Sequence, residues 1–239
     1  MAQTSRKIVL AGVILLVLGL TGPASAQELR YSWLDLSFMG QDVGGIEGNQ
    51  QTPDPDQFVD VVGNDGDGVR FRGSYALGER FYFFGDYGST DIGVDGIVTN
   101  PNIPPTPASD EFDLTTIRGG LGFRWGVGFN TDITFEVSYD SIDYDFGSFA
   151  GESFDANSKD AGGAIGIRHL FGDNWEVRAS GRYSNHAEID LNTLEFDTGA
   201  LFNVGFSWQI VRGFAIVGDY ETGDVDSWSV GFRLDMDED

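Results

Sequence analysis

The chain has 239 residues, of which 38 are acidic and 14 are basic, so its formal net charge at pH 7 is −24. It contains no cysteine, which excludes disulfide bonds, thiolate metal sites and cysteine nucleophiles. The acidity argues against a nucleic-acid partner, because phosphates repel carboxylates. The 34 glycines and 13% aromatic residues are too many for a disordered acidic chain.

The first 26 residues have the layout of a secretory signal peptide. Arg6 and Lys7 precede an uncharged run over 8–20, and Ala24-Ser25-Ala26 supplies small residues for cleavage. The run would rise only about 20 Å as a helix, short of the roughly 30 Å hydrocarbon core of a bilayer. We therefore predict cleavage after Ala26. The mature domain, 27–239, then has 12 basic against 38 acidic residues, a net charge of −26.

Alternation of apolar and polar residues dominates the mature domain and predicts β-strands. Between 196 and 208, for example, Phe202, Val204 and Phe206 share one strand face, while Leu201, Asn203 and Gly205 share the other. The pattern predicts ten strands, at 29–39, 67–77, 81–90, 112–124, 131–143, 160–169, 175–187, 195–209, 214–222 and 226–235.

The predicted connections alternate in length. Short turns fall at 77–80, 125–130, 171–174 and 210–213. Longer links fall at 40–66, 91–111 and 144–159, with shorter ones at 188–194 and 223–225. All prolines of the mature domain lie in two of the long links, consistent with the loss of a ladder hydrogen bond that proline causes inside a strand.

The alternating faces fit either a soluble barrel with an apolar interior or a membrane barrel with an apolar exterior. The apolar face is too bulky for a small barrel interior, the other face is polar and rich in small residues, and long acidic links alternate with short turns. These features favour an all-β, antiparallel, up-and-down transmembrane β-barrel. It would have ten strands, or alternatively eight, with short periplasmic turns and long acidic extracellular loops.

Aromatic residues recur at two heights along the predicted strands. Tyrosines lie partway along the strands that follow the short turns, and tryptophans flank the turns. Such rings are typical of the two membrane interfaces. The predicted girdles consist of Tyr87, Trp125, Tyr139, Trp175, Tyr183, Trp208 and Tyr220.

Charged residues fall on the polar face, and a slip of one residue in register would place arginines in lipid. Two interpretations remain open: a salt-bridge network that fills the lumen, which we favour, and a charge-selective pore. The predicted lumen network is Arg70, Arg72, Asp86, Arg118, Glu136, Glu176, Arg178, Arg182, Glu195, Asp219 and Arg233. The same face also carries Asp35, Arg124, Asp132, Asp140, Arg168, Asp197 and Glu221.

An N-terminal strand over 31–36, hairpins such as 120–125 continuing to 135–139, and a closing strand over 229–234 form a recurrent pattern. In this pattern the chain resembles small outer-membrane β-barrel proteins of the OmpA-like or OmpX-like type. The resemblance covers the whole mature chain. It implies a porin-like protein of the Gram-negative outer membrane, in contact with membrane lipid, lipopolysaccharide and the barrel-insertion machinery. Family members commonly close with eight strands.

Candidate catalytic residues are few. Ser184, His186 and Glu188 share one strand face, so a Ser/His/Glu grouping is geometrically possible, as in outer-membrane lipid-modifying enzymes. The spacing matches no assignable enzyme, and polar residues are expected on a lumen face in any case. His169, beside a short turn, is interpreted as an interfacial residue.

Asn64, Asp65 and Asp67 resemble part of a calcium-binding loop, but the distal glutamate of a full loop is missing. Turn chemistry explains this Asn-Asp-Gly segment equally well. Weak association of divalent cations with the acidic loops, bridging to lipopolysaccharide, is the alternative hypothesis. We expect no cofactor. The sequence leaves the oligomeric state open and favours a non-enzymatic structural or surface-interaction protein, ahead of a narrow channel for small polar solutes and a lipid- or peptide-modifying enzyme.

Overall fold

The computed structural model describes residues 29–42, 47–51, 58–100, 103–149, 152–190, 195–223 and 225–236. Eleven strands account for nearly all of them, and no helix long and apolar enough to cross a membrane occurs in these ranges. The predicted signal peptide lies outside the described residues. The strands are β1 (Trp33–Asp42), β2 (Glu47–Gln51), β3 (Phe58–Leu77), β4 (Phe81–Asn100), β5 (Ile103–Gly126), β6 (Thr131–Phe149), β7 (Glu152–Phe171), β8 (Trp175–Asp190), β9 (Glu195–Val211), β10 (Phe214–Thr222) and β11 (Asp226–Asp235).

Ten of these strands close into one antiparallel barrel. Neighbours in sequence are neighbours in the sheet from β3 through β11, and β1 completes the ring by pairing with both β11 and β3. The short β2 pairs only with the far end of β3 and stands outside the ring. The predicted ten-stranded, up-and-down architecture is confirmed, and the eight-stranded alternative is wrong.

The barrel has two unlike ends. At one end, called the turn end here, the connections contain two to four residues, and Gly78, Gly172 and Gly213 adopt positive φ values between 61° and 79°. A side chain at these positions would be strained, which accounts for glycine there. At the opposite end, the hairpin end, β3 to β7 continue well past the predicted limits.

The predicted long links are largely strand. β4 and β5 remain paired from the turn end out to Asn100 and Ile103, and β6 and β7 out to Phe149 and Glu152. The predicted links at 91–111 and 144–159 are therefore wrong as loops. They are extensions of the hairpins, in which backbone pairing continues without apolar alternation.

Two local predictions are wrong because the strands extend into the predicted links. Pro104, Pro105 and Pro107 lie inside β5, near the tip of its hairpin with β4, so proline is not excluded from the strands. The Asn-Asp-Gly segment at 64–66 is not a turn. It lies in β3, where the register with β4 shifts between Gly63 and Gly66 as in a β-bulge.

Side-chain exposure alternates along the strands with period two, and the apolar face is the outer one. On β6, Phe135, Val137 and Tyr139 are 41%, 65% and 58% exposed, whereas Ser138 and Asp140 are buried. The predicted orientation, with apolar side chains outward and polar side chains toward the lumen, is confirmed. Side chains of this outer belt contact lipid in a transmembrane barrel.

A row of aspartates crosses the hairpin half of the sheet. Asp67 pairs with Asp91, Asp91 with Asp113, Asp113 with Asp145, and Asp145 with Asp155. Like charges directly opposite one another destabilise a sheet. A side-chain hydrogen bond with Asp91, together with partial desolvation and the neighbouring negative charges, raises the pKa of Asp113 above its usual value.

Candidate functional site: the barrel lumen

Arginine and carboxylate side chains alternate in an unbroken series across the lumen. At its centre, Asp35 of β1 accepts hydrogen bonds from Arg233 of β11 at 2.7 and 3.0 Å and from Arg72 of β3 at 3.1 Å. Asp35 is 1% exposed, so these bonds replace the water that a carboxylate requires. The complete series is Arg168, Glu176, Arg233, Asp35, Arg72, Asp219 and Arg178.

Asp219 of β10 connects opposite walls of the barrel. Arg178 of β8 donates to Asp219 Oδ1 from Nε at 3.0 Å and from Nη2 at 2.8 Å, and to Oδ2 from Nη2 at 2.7 Å. Arg72 of β3 donates to the same Oδ2. β8 and β3 are five positions apart in the ten-stranded ring, so these bonds cross its full width.

Three further groups of ion pairs lie beside this series. Arg70 binds Asp86 through two hydrogen bonds, and Arg182 donates to Glu221 at 2.8 Å. Arg118 donates to Glu136 at 2.9 Å, and its Nε lies 3.6 Å from Asp140 Oδ1. In the described part of the lumen, seven arginines thus pair with seven carboxylates: Arg70, Arg72, Arg118, Arg168, Arg178, Arg182 and Arg233 with Asp35, Asp86, Glu136, Asp140, Glu176, Asp219 and Glu221.

The residues that precede β1 close the turn end. Leu29 and Tyr31 are buried against Tyr82 and Leu170. The Tyr31 ring lies under the Arg168 guanidinium at 4.2 Å, with Arg124 at 4.7 Å, and its hydroxyl donates to Asp132 at 3.0 Å. The carbonyl oxygen of residue 30 accepts from Arg168 at 2.9 Å. The predicted strand 29–39 is therefore wrong at its start, because 29–32 forms a plug.

Apolar side chains face the lumen toward the hairpin end. Met39, Leu114, Ile142 and Leu201 are at most 5% exposed, and they line a cavity of about 60 Å³ whose remaining walls include the Arg70–Asp86 pair. The charged layer separates this cavity from a larger one of about 130 Å³. The described side chains of the lumen thus form three layers: the plug, the ion pairs and this apolar layer.

The structure places most of the predicted network residues together. Every predicted member whose side chain is described forms an ion pair; only Glu195 has a side chain outside the described set. Asp35, Asp140, Arg168 and Glu221 belong to the network as well. They share the polar face in the sequence, so their membership could have been predicted by extending the list to the whole face.

Three aromatic residues of the lumen were not predicted. Tyr31 lies in the plug, Trp33 stacks on Arg233 at 4.0 Å, and Tyr82 donates its hydroxyl to Glu136 at 2.9 Å. The Tyr82 ring crosses β5 at Gly122, where a Cβ atom would lie 2.0 Å from the ring. The spacing in the sequence could have identified two of them, because Tyr31 and Trp33 lie two residues apart from each other and from Asp35 and so occupy the same strand face.

Of the candidate catalytic residues Ser184, His186 and Glu188, the structure describes only the side chain of Ser184. Ser184 is 1% exposed and donates its hydroxyl hydrogen to Asp140 Oδ2 at 2.7 Å. His186 and Glu188 lie in β8, but their side chains are outside the described set. His169 lies near the turn end of β7 with Nδ1 at 2.6 Å from the Thr131 hydroxyl and an edge contact to Phe171.

The candidate calcium ligands do not form a loop. Asp65 and Asp67 are exposed on β3, and the side chain of Asn64 is outside the described set. Among the described residues, no group of three or more acidic or histidine side chains is arranged to hold a metal ion.

The aromatic residues proposed for the girdles lie on the outer face. All are between 40% and 60% exposed. Trp175 stacks on Trp208, with ring centroids 5.4 Å apart and an interplanar angle of 8°. The proposed girdle residues are Tyr87, Trp125, Tyr139, Trp175, Tyr183, Trp208 and Tyr220.

Several solved structures are similar to this chain at low sequence identity. The CymD monoaromatic hydrocarbon channel has a TM-score of 0.34 and 12% identity; the alignment covers 78% of this chain but only 58% of that channel. OprG from Pseudomonas aeruginosa has a TM-score of 0.44 and 7% identity, and the alignment covers 90% of this chain and 100% of OprG. Ail from Yersinia pestis, solved with the heparin analogue sucrose octasulfate, has a TM-score of 0.39 and 12% identity, and the alignment covers 85% of this chain and 99% of Ail.

Among curated proteins compared by sequence, none matches this chain. The family described as outer membrane protein beta-barrel domain matches residues 12–209, which is most of the chain. The match agrees with a closed barrel whose apolar belt faces outward and whose charges face inward. The chain is therefore a protein of the outer membrane and belongs to the outer membrane protein beta-barrel domain family.

Proposed function

We propose that the protein is a non-enzymatic outer-membrane barrel with a closed lumen, whose role is structural or surface interaction through its long hairpins. The observation that supports a closed lumen best is Asp219, which joins Arg178 and Arg72 across the barrel. Opening a path there requires breaking a buried ion pair, at a cost of about 3–5 kcal/mol for each charge left alone.

The hairpin end supplies the surface for interaction. In the proposal it is extracellular, because long outer connections and short periplasmic turns are typical of bacterial barrels. Asp67, Asp91 and Asp113 are exposed there in one row. Carboxylates at this height suit bridging to lipopolysaccharide phosphates through divalent cations. Chelation should then increase the protease sensitivity of the hairpins, and unchanged sensitivity would contradict the bridging.

Planar-bilayer recording tests the closed lumen. The mature protein is folded in detergent and inserted into the bilayer, and we expect no steady single-channel openings. The neutral variants Arg178→Gln and Glu136→Gln alter the lumen, while Asp143→Asn changes an exposed outer residue as a control. Steady openings of the unmodified protein that change in the two lumen variants but not in the control would contradict the closed lumen.

A narrow channel for small polar solutes is the second candidate. The two lumen cavities favour it, because they share Arg70, Asp86, Arg118, Arg182 and Glu221 as a common wall, so that a movement of these side chains would join them. The same recordings decide between the two functions.

An envelope enzyme is the third candidate. The hydrogen bond from Ser184 to Asp140 commits the hydroxyl hydrogen to a carboxylate instead of a histidine. We expect His186→Ala to leave the lipid A profile unchanged, and a changed profile would support an enzyme.

A further inference from the structure

The turn between β5 and β6 differs in composition from the other turns at the turn end. Residues 125–131, which include this turn, carry no charge. Each of the other three turns contains at least one charged residue: Glu79 and Arg80 between β3 and β4, Asp173 between β7 and β8, and Arg212 between β9 and β10. Because the mature chain is strongly charged, an uncharged turn at its surface requires a physical explanation.

The same turn exposes large apolar side chains. Phe129 is 95% exposed and Val127 is 50% exposed, and Trp125, near the end of β5, is 60% exposed. The other three turns, at 78–80, 172–174 and 212–213, contain no large apolar residue. Single exposed apolar side chains are common on protein surfaces, but three at alternate positions in one uncharged segment form a patch.

Hydrogen bonds fix the turn against the neighbouring strands. The Val127 N–H donates to the Thr131 carbonyl oxygen at 2.9 Å, and the Leu170 N–H donates to the Asn130 carbonyl oxygen at 2.9 Å. The side-chain amide of Asn130 donates in return to the Leu170 carbonyl oxygen at 3.3 Å. Backbone groups that are paired inside the protein lose less on leaving water, which favours entry of this segment into a membrane.

We propose that this turn inserts Val127 and Phe129 into the headgroup region of the adjacent lipid leaflet and anchors the turn end of the barrel there. Lipid is the partner because the patch continues the outer belt. Trp125 joins the turn to that belt, in which the rings of Phe123 and Phe135 lie with centroids 6.4 Å apart. Apolar side chains of interfacial segments enter about 5–10 Å into the boundary between headgroups and acyl chains. The proposal does not depend on whether the lumen conducts or on what the hairpins bind.

A fluorescent label inside the turn tests the insertion. The chain lacks cysteine, and a Cβ added at Gly128 would have no described atom within 4 Å, so Gly128→Cys can carry a bimane label while Val127 and Phe129 stay in place. The mature protein is folded into phosphatidylcholine vesicles with iodide on both sides of the membrane. We expect bromines near the headgroup end of the lipid acyl chains to quench this label strongly and iodide to quench it weakly. Asp173→Cys, an exposed position in a charged turn, should show the reverse order.

Substitution of the two apolar side chains shows whether they drive the insertion. Val127→Ser with Phe129→Ser should lower the bromine quenching at 128 by at least about twofold, because the apolar area that favours lipid is removed. Phe129→Ser alone should cause part of this loss, and it replaces the double variant if that one fails to fold. Equal quenching with and without the serines would overturn the proposal.

A label in the outer belt separates failure of the turn from failure of the barrel to insert. Val137→Cys, at a belt residue 65% exposed, should be quenched by brominated lipid in every variant. If this label is quenched while iodide reaches the label at 128 as readily as the label at 173, the turn lies in water and the proposal is wrong. Protection at 128 from both bromines and iodide would show that a second copy of the chain covers the turn, and it would overturn the proposal as well.

Discussion

Removal of the Asp219 carboxylate is the most informative perturbation of the lumen network. Asp219 is 7% exposed and accepts four hydrogen bonds from Arg72 and Arg178. In Asp219→Ala, Arg72 keeps Asp35 at 3.1 Å. Arg178 keeps no ion pair among the described residues. One buried charge is therefore left alone, which corresponds to a loss of about 3–5 kcal/mol in the free energy of unfolding.

Urea unfolding in detergent or lipid vesicles, followed by tryptophan fluorescence, measures this loss. The double variant Asp219→Ala/Arg178→Ala removes the orphaned charge together with its partner. It should be less destabilised than the sum of the single variants, by about 0.5–3 kcal/mol. Asp143→Ala, at an exposed residue outside the network, should change the free energy by no more than about 0.5 kcal/mol. A loss below about 1 kcal/mol in Asp219→Ala, or additive single variants, would refute the reasoning.

Three further predictions concern the outer face, the barrel seam and the aspartate row. Val137→Arg, midway along the apolar belt, should cost about 2–4 kcal/mol of folding free energy in lipid vesicles, and a neutral effect would show that this face does not meet lipid. Gly231→Ala should lower the free energy of unfolding in urea by at least about 1–3 kcal/mol, because the added Cβ would lie 2.1 Å from a backbone oxygen of β1. Gly119→Ala serves as the control and should be tolerated, because its added Cβ would lie 3.8 Å from the nearest backbone oxygen. Asp113→Asn should raise the stability of the folded barrel at neutral pH by about 0.2–1 kcal/mol. Because the pKa of Asp113 is raised, the folded state binds the proton more tightly than the unfolded state, and the unmodified protein gains stability as the pH falls through that pKa. The advantage of Asp113→Asn should therefore disappear at low pH. A difference in unfolding free energy between the two proteins that is the same at pH 7 and pH 4 would contradict this.

The membrane-spanning part of the barrel was predictable because lipid on one side and a polar lumen on the other impose alternation. The predicted and observed strands coincide at both ends for 214–222 and 226–235. Beyond the lipid, an apolar outer face is no longer required, so the alternation of apolar and polar residues in the sequence weakens. The extensions of β4 to β7 therefore carried no periodic signal, although their backbones continue to pair.

The sequence predicts which charged residues face the lumen, but it does not predict which of them pair with one another. Parity identifies which charges point inward, but the pairing of Arg72 with Asp219, 147 residues apart, depends on how strand tilt and stagger bring opposite walls together. The plug formed by Leu29 and Tyr31 was missed because its apolar alternation is the same as that of a strand end. Leu201 was placed correctly on the inner face, yet the apolar layer it forms with Met39 and Ile142 was not foreseen.

The orientation of the two sheet faces in a membrane is the claim on which the rest depends, and neighbouring residues of β6 test it most directly. The chain lacks cysteine, so Val137→Cys and Ser138→Cys can each carry a single nitroxide label. Val137 is 65% exposed and Ser138 is 9% exposed. In lipid vesicles, we predict that dissolved oxygen relaxes the label at 137 strongly and the label at 138 weakly. The reverse pattern, or equal relaxation at both positions, would contradict an apolar face toward lipid and a charge-paired lumen within.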